Sequence, residues 1–179
     1  MNLPNKLTIA RVVMIPFFLV ALLWNGVPYT KWIALAIFII ASLTDALDGH
    51  IARKHNLVTN FGKFMDPLAD KLLVSSALIA FVSLERIPEW VVIIIIAREF
   101  IISGFRLIAS DNGVVIAASY WGKVKTTVQI IMICMLIANL GGTVVYVIEQ
   151  VLIYGAMVLT VISLIDYLVK NRDVMKEGK

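Results

Sequence analysis

The chain has 179 residues, of which 60% are hydrophobic and only 16% charged, and its mean hydropathy is +0.92. A soluble domain carries about a quarter charged residues, so these totals exclude an ordinary water-soluble fold and fit a single membrane domain over residues 1–179. One cysteine excludes an internal disulfide, and a net charge of +4 on so apolar a chain reads as membrane orientation and not as a nucleic-acid surface.

Six apolar runs follow one another, each near the roughly 20 residues that a bilayer core requires. They are Leu7–Trp24, Lys31–Arg53, Gly62–Leu84, Pro88–Ile108, Ser119–Leu140 and Val144–Val169. Gly, Pro, Asn or charged residues separate them. The pattern predicts an all-α, polytopic membrane protein with six transmembrane helices. The first run lacks a clean small-residue cleavage site, and Asn25-Gly26-Val27-Pro28 follows it as a turn, so it is read as a span and not as a removable leader. Asn5, Thr8 and Arg11 recur on one side of its beginning, placed to reach a phosphate; a basic interfacial anchor is the competing reading.

The second and third runs carry the unusual chemistry. Asp45 and Asp48 lie near the end of one, Asp66 and Asp70 near the start of the next. A charged side chain inside a membrane segment costs at least a few kcal/mol. The spacings i, i+3 and i, i+4 put each pair on one helical face. The short connection over Lys54–Phe61 makes the two helices antiparallel neighbours. Asp48 then stands opposite Asp66, and Asp45 opposite Asp70, at matched depth. Gly49 and Ala52 are small and one turn apart, Arg53 follows them, and Gly62 faces them. A tight helix crossing would use such small residues; beside four acids and an arginine they are read as room for a flat ligand and its phosphate. Lys71 is read as a counter-ion, and His50 and His55 as solvated bystanders.

In the fourth run Arg98 lies among apolar residues and Arg106 follows eight positions later. Both are expensive in a membrane and are candidates for binding an anion, with pairing of Arg98 to Glu99 as the competing account. Lys123 and Lys125 open the fifth run, where they either bind an anion or snorkel to the interface. Cys134 reads as a packed, inert thiol. In the sixth run Asp166 reads as interfacial or paired with a base, and Glu149 has no evident role. Trp24, Trp32, Trp90 and Trp121 fall near span ends, as an aromatic belt requires.

Basic residues fix the orientation. With the N-terminus inside, the inner segments hold Lys6, Arg11, Arg53, Lys54, Lys63, Arg106, Lys123, Lys125, Lys170, Arg172, Lys176 and Lys179, against only Lys31 and Arg86 outside. Both termini are therefore expected in the cytoplasm. Four carboxylates gathered into one box cannot all stay ionised without cations. An all-oxygen set suits hard divalent ions such as Mg²⁺ or Mn²⁺. Two such ions beside an arginine point to displacement at phosphorus.

The run Asp45-x-x-Asp48-Gly49-x-x-Ala52-Arg53, eight residues, then Gly62-x-x-x-Asp66-x-x-x-Asp70 resembles the signature of the CDP-alcohol phosphotransferase family. Every signature position is filled, and the six-span layout extends the resemblance over nearly the whole chain. "LPNKLTIAR" from Leu3, "REFIISGFRLIA" from Arg98 and "WGKVKTT" from Trp121 favour the bacterial branch that uses glycerol 3-phosphate over relatives that use inositol phosphate or aminoalcohols.

The resemblance implies transfer of the phosphatidyl group from CDP-diacylglycerol to glycerol 3-phosphate, giving phosphatidylglycerophosphate and CMP. It implies two divalent ions, Mg²⁺ or Mn²⁺, on Asp45, Asp48, Asp66 and Asp70, with Asp70 also the general base. Gly49, Ala52, Arg53 and Gly62 would line the CDP-diacylglycerol site, joined by Asn5, Thr8 and Arg11. Arg98, Arg106, Lys123 and Lys125 are the candidates for the acceptor phosphate. A homodimer in the bacterial cell membrane, with its active cavity open to the cytoplasm, is also implied; no nucleic-acid partner is. Inositol phosphate or phosphatidylglycerol as acceptor is the alternative within the family. A divalent-cation transporter is the alternative outside it, and Arg53 fits that poorly because it repels a passing cation.

Overall fold

The computed structural model describes residues 3–24, 27, 29–54, 60–111, 116 and 119–172. Among them the chain is all helical: α1 (Leu3–Leu23), α2 (Thr30–Lys54), α3 (Asn60–Ser83), α4 (Glu89–Asp111), α5 (Tyr120–Ala138) and α6 (Thr143–Lys170). Each helix overlays one apolar run of the sequence. The largest departure is at the start, where α1 begins four residues before the apolar run and takes in Asn5. Pro4 lies in that first turn, where its missing N–H has no helical partner to lose.

The helices divide into two compact units, 1–86 with 134–139, and 87–133 with 140–179. In the first, α1 is the main packing partner of both α2 and α3, whereas α2 and α3 touch each other over a smaller area. The expected hairpin of two acidic helices thus has a third member. The face of α1 that does this packing carries Thr8, Arg11, Ile15 and Phe18, and α2 answers with Ala34, Phe38 and Ala41, all buried. Phe18 and Phe38 meet with ring centroids 5.7 Å apart. Alanines around the two rings let the backbones approach, as in membrane helix pairs.

In the second unit α4 packs on α6. The buried face of α6 is Glu149, Ile153, Ala156, Thr160, Ser163 and Tyr167, a steady alternation of four- and three-residue steps. Its outward residues are apolar, such as Val151 at 66% exposure, and Phe17 and Leu107 on α1 and α4 are 64% and 71% exposed. Polar groups inside and large apolar groups outside invert the soluble pattern; lipid as the surrounding solvent accounts for it. By length and composition α1, α5 and α6 are long and apolar enough to cross a membrane. The apolar described portions of α2 and α3, Thr30–Thr44 and Lys71–Ser83, are shorter, and α4 is interrupted by Arg98, Glu99 and Arg106.

Helix ends follow ordinary backbone rules. At the end of α3, Arg86 N–H reaches Phe81 O and Glu85 N–H reaches Val82 O, both at 2.9 Å. This is a Schellman closure with Glu85, at φ 56°, where glycine is usual. α5 closes through Asn139 at φ 43°, whose N–H bonds Met135 O at 3.1 Å. Ser119 caps the start of α5, its Oγ accepting Gly122 N–H at 3.1 Å.

Candidate functional site

Helix α2 carries Asp45, Asp48, Gly49, Ala52 and Arg53, and α3 carries Gly62, Asp66 and Asp70. The side chains of these eight residues, and of His50, lie outside the described residues, as does His55 entirely. Their helical backbone keeps each acid pair within one turn on one face. Four aspartates are an all-oxygen donor type, the kind that would suit a hard divalent ion.

Helix α1, which packs on both α2 and α3, carries Asn5, Thr8 and Arg11 on one face. Asn5 is 7% exposed, and Thr8 and Arg11 are fully buried. Each of the three is engaged by another group. A buried guanidinium fits poorly with a basic anchor at a lipid surface, which would leave its charge in the headgroup layer. Asn5, Thr8 and Arg11 instead form a polar stripe that continues the packed face of Ile15 and Phe18 towards the N-terminus of α1.

The second unit holds a charged cluster built from three helices. Arg98 of α4 and Lys125 of α5 are both buried. The Oε1 atom of Glu99 accepts from Arg98 Nη1 at 3.3 Å and from Lys125 Nζ. Arg98 Nη2 donates to Ser163 Oγ of α6 at 2.5 Å. Gly122 lies against this pair: a Cβ there would be in ordinary van der Waals contact, 3.5 Å from Arg98 Nη2 and 3.7 Å from Ser163 Oγ. Ser119 fixes the first turn of α5, and so the register that sends Lys125 inward.

Arg98 thus pairs with Glu99, as the competing account had it, and Lys125 meets the same carboxylate. Among the described residues, no hydrogen bond or ion pair joins Arg106 or Lys123 to them. Eight helical residues turn the chain by about 80° beyond two full turns, so Arg106 leaves the face of Arg98. Its guanidinium lies over the ring of Tyr167 at 5.8 Å, and Phe105 meets that ring edge-on at 5.7 Å. Lys123 is exposed. Asp166 pairs with Lys170 at 2.7 Å, as one sequence reading had it. Ser163 and the bridging role of Glu99 were not anticipated. The buried period of α6, with Glu, Thr, Ser and Tyr on one side of an apolar helix, was the signal available for Ser163.

At the other end of the first unit, a cavity of about 440 Å³ is lined by Leu22, Trp24, Lys31, Arg86, Leu136 and Asn139, among others. Lys31 Nζ donates to Asn139 O at 3.1 Å and Arg86 Nη1 to Leu136 O at 3.5 Å. Trp24, Trp32, Trp90 and Trp121 are all exposed, in keeping with an aromatic belt. Cys134 is half-buried.

The family model described as CDP-alcohol phosphatidyltransferase matches residues 1–162. The chain belongs to that family. Curated relatives agree with this membership. A Bacillus subtilis protein named CDP-diacylglycerol–glycerol-3-phosphate 3-phosphatidyltransferase is 45% identical over 188 aligned residues, covering 98% of this chain and 97% of its own length. Proteins of the same name from Rickettsia felis and Haemophilus influenzae are each 40% identical and cover 93% of this chain, with 93% and 91% of their own lengths aligned. The signature acids thus lie on α2 and α3, both packed on α1, and the described charged cluster lies on α4–α6.

Proposed function

We propose that the chain is a membrane-bound transferase that moves the phosphatidyl group of CDP-diacylglycerol onto glycerol 3-phosphate, giving phosphatidylglycerophosphate and CMP. The observation that carries this reading is the family signature on α2 and α3, together with near full-length identity of 40–45% to bacterial proteins bearing that activity in their names. In this reading the six helices are six spans of one domain, both termini and the site face the cytoplasm of a bacterial cell, and the chain acts as a homodimer.

The residues divide the work by chemistry. Asp45, Asp48, Asp66 and Asp70 would hold two divalent ions, Mg²⁺ or Mn²⁺. When bound, these supply neutralisation of the diphosphate and of the charge that builds on CMP as it departs. Asp70 takes the proton from the attacking hydroxyl of glycerol 3-phosphate, a role open to a carboxylate held ionised at neutral pH. Arg53 and Arg11 bind phosphate oxygens of the CDP-lipid, Asn5 and Thr8 donate hydrogen bonds beside Arg11, and Gly49, Ala52 and Gly62 leave space for cytidine. Arg98 and Lys125 bind the phosphate of the acceptor, with Arg106 and Lys123 drawing it in from the water side. The acyl chains stay in lipid throughout.

Purified protein is expected to release CMP from CDP-diacylglycerol only when glycerol 3-phosphate and a divalent ion are both present. The Asp66→Asn, Asp70→Asn double variant should lose that release; activity retained at the parental level would sink the assignment. Competition among glycerol 3-phosphate, inositol phosphate and phosphatidylglycerol as acceptors tests the choice of alcohol.

A further inference from the structure

We propose that Glu99 is a built-in stand-in for the acceptor's phosphate: it holds Arg98 and Lys125 together and is displaced from them when a phosphate monoester binds. The inference rests on the reading of these two cations as the acceptor-phosphate site and adds a residue that governs how tightly that site fills.

Three observations support it. First, a single carboxylate oxygen bridges cations from two helices, with Arg98 Nη1 at 3.3 Å and Lys125 Nζ on the same atom. One phosphate oxygen between two cations would make the same figure. Second, the cations are fixed and the anion is the accessible partner. The side chains of Arg98 and Lys125 are 10% and 3% exposed, that of Glu99 19%. Arg98 is also tethered from behind by Ser163, so it keeps its place when the carboxylate swings away. Third, the fit of the resident anion is incomplete. Its contact with Arg98 is long and uses Nη1 alone, while the buried Nε of Arg98 has no hydrogen-bond partner. A guanidinium binds tetrahedral phosphate best through two parallel N–H groups, an arrangement that Glu99 does not make with Arg98.

A rival account makes Glu99 purely structural, there to neutralise cations buried in lipid. The two accounts differ in sign. Under displacement, removing the competing charge frees the site. Glu99→Gln should then lower KM for glycerol 3-phosphate roughly two- to fivefold, the range one exchanged ion pair supports. Inorganic phosphate should inhibit at a correspondingly lower concentration, and KM for CDP-diacylglycerol should stay put. Under the structural account, KM for the acceptor rises or does not move.

A binding measurement keeps this separate from the reaction assignment. Thermal stabilisation of the detergent-purified protein by inorganic phosphate should appear at lower phosphate in Glu99→Gln than in the parent, and should vanish in Arg98→Gln. If no acceptor alcohol supports turnover yet this pattern holds, the reaction is misassigned and the stand-in role survives. If turnover with glycerol 3-phosphate is robust but Glu99→Gln neither tightens phosphate nor lowers KM, the stand-in role is overturned. Should Glu99→Gln fail to fold, Glu99→Asp carries the test. Its shorter carboxylate reaches the cations less well, so acceptor KM should again fall, and an unchanged or higher KM overturns the proposal.

Discussion

The polar stripe of α1 and the charged cluster of α4–α6 solve the same problem in different ways. Both put an arginine and hydroxyl or amide groups inside a chain whose outer surface is apolar. On α1 the polar residues Asn5, Thr8 and Arg11 come from one helical face within seven residues. In the cluster, Arg98, Glu99, Lys125 and Ser163 come from three helices. A stripe on one helix holds its shape through local backbone geometry alone. A three-helix cluster exists only when the helices are docked, so its geometry reports on packing and adapts to what binds. In the function proposed above, the stripe would be a fixed platform for the lipid-linked diphosphate and the cluster an adjustable seat for a small, water-borne acceptor.

The strongest way to break the comparison is at Arg11. Removing one partner of a buried charged contact costs about 3–5 kcal/mol, so Arg11→Met should lower kcat/KM for CDP-diacylglycerol by at least about 100-fold, with KM for glycerol 3-phosphate little changed. Steady-state kinetics with each substrate varied in turn checks this. An equal rise in both KM values would mean that the stripe supports the fold as a whole. A smaller effect is expected in the cluster. Ser163→Ala leaves Arg98 with one tether fewer, a loss of about 1 kcal/mol, and should raise KM for glycerol 3-phosphate roughly fivefold while sparing CDP-diacylglycerol.

The smallest effect is a control away from both regions. Glu85 occupies a left-handed position at the end of α3, and glycine there relieves backbone strain worth roughly 0.5–1 kcal/mol. Glu85→Gly should raise the melting temperature in detergent by about 2–4 °C and leave both KM values alone.

The same contrast explains what the sequence made legible. Six helices were readable because each apolar run has the length and flanking breaks of a span, and the largest early start, at α1, follows from Pro4 and Asn5 being polar or turn-like in composition yet helical in place. The α1 stripe was readable because its residues repeat at helical spacing. The acidic pairs on α2 and α3 were readable in the same way, as pairs on one face each. The role of α1 as main partner of both was not, since chain order favours neighbours and says nothing of which third helix they share. Ser163 stayed hidden because one hydroxyl in an apolar helix is unremarkable until Arg98, 65 positions earlier, is placed beside it. In the sequence Glu99 is only the competing partner for the arginine next to it, and the turn of α5 that brings Lys125 inward makes it a bridge.

Lys31 and Arg86 change meaning in the same light. They are the two basic residues that run against the charge asymmetry of the chain. Each donates to a carbonyl in or just after the last turn of α5, where a helix end carries about half a negative charge. Part of their charge is thus already answered by backbone, on the spot. Lys31 and Arg86 turn their charge inward to close a helix, so they weigh less against the orientation proposed for the protein than a count of lysines and arginines conveys.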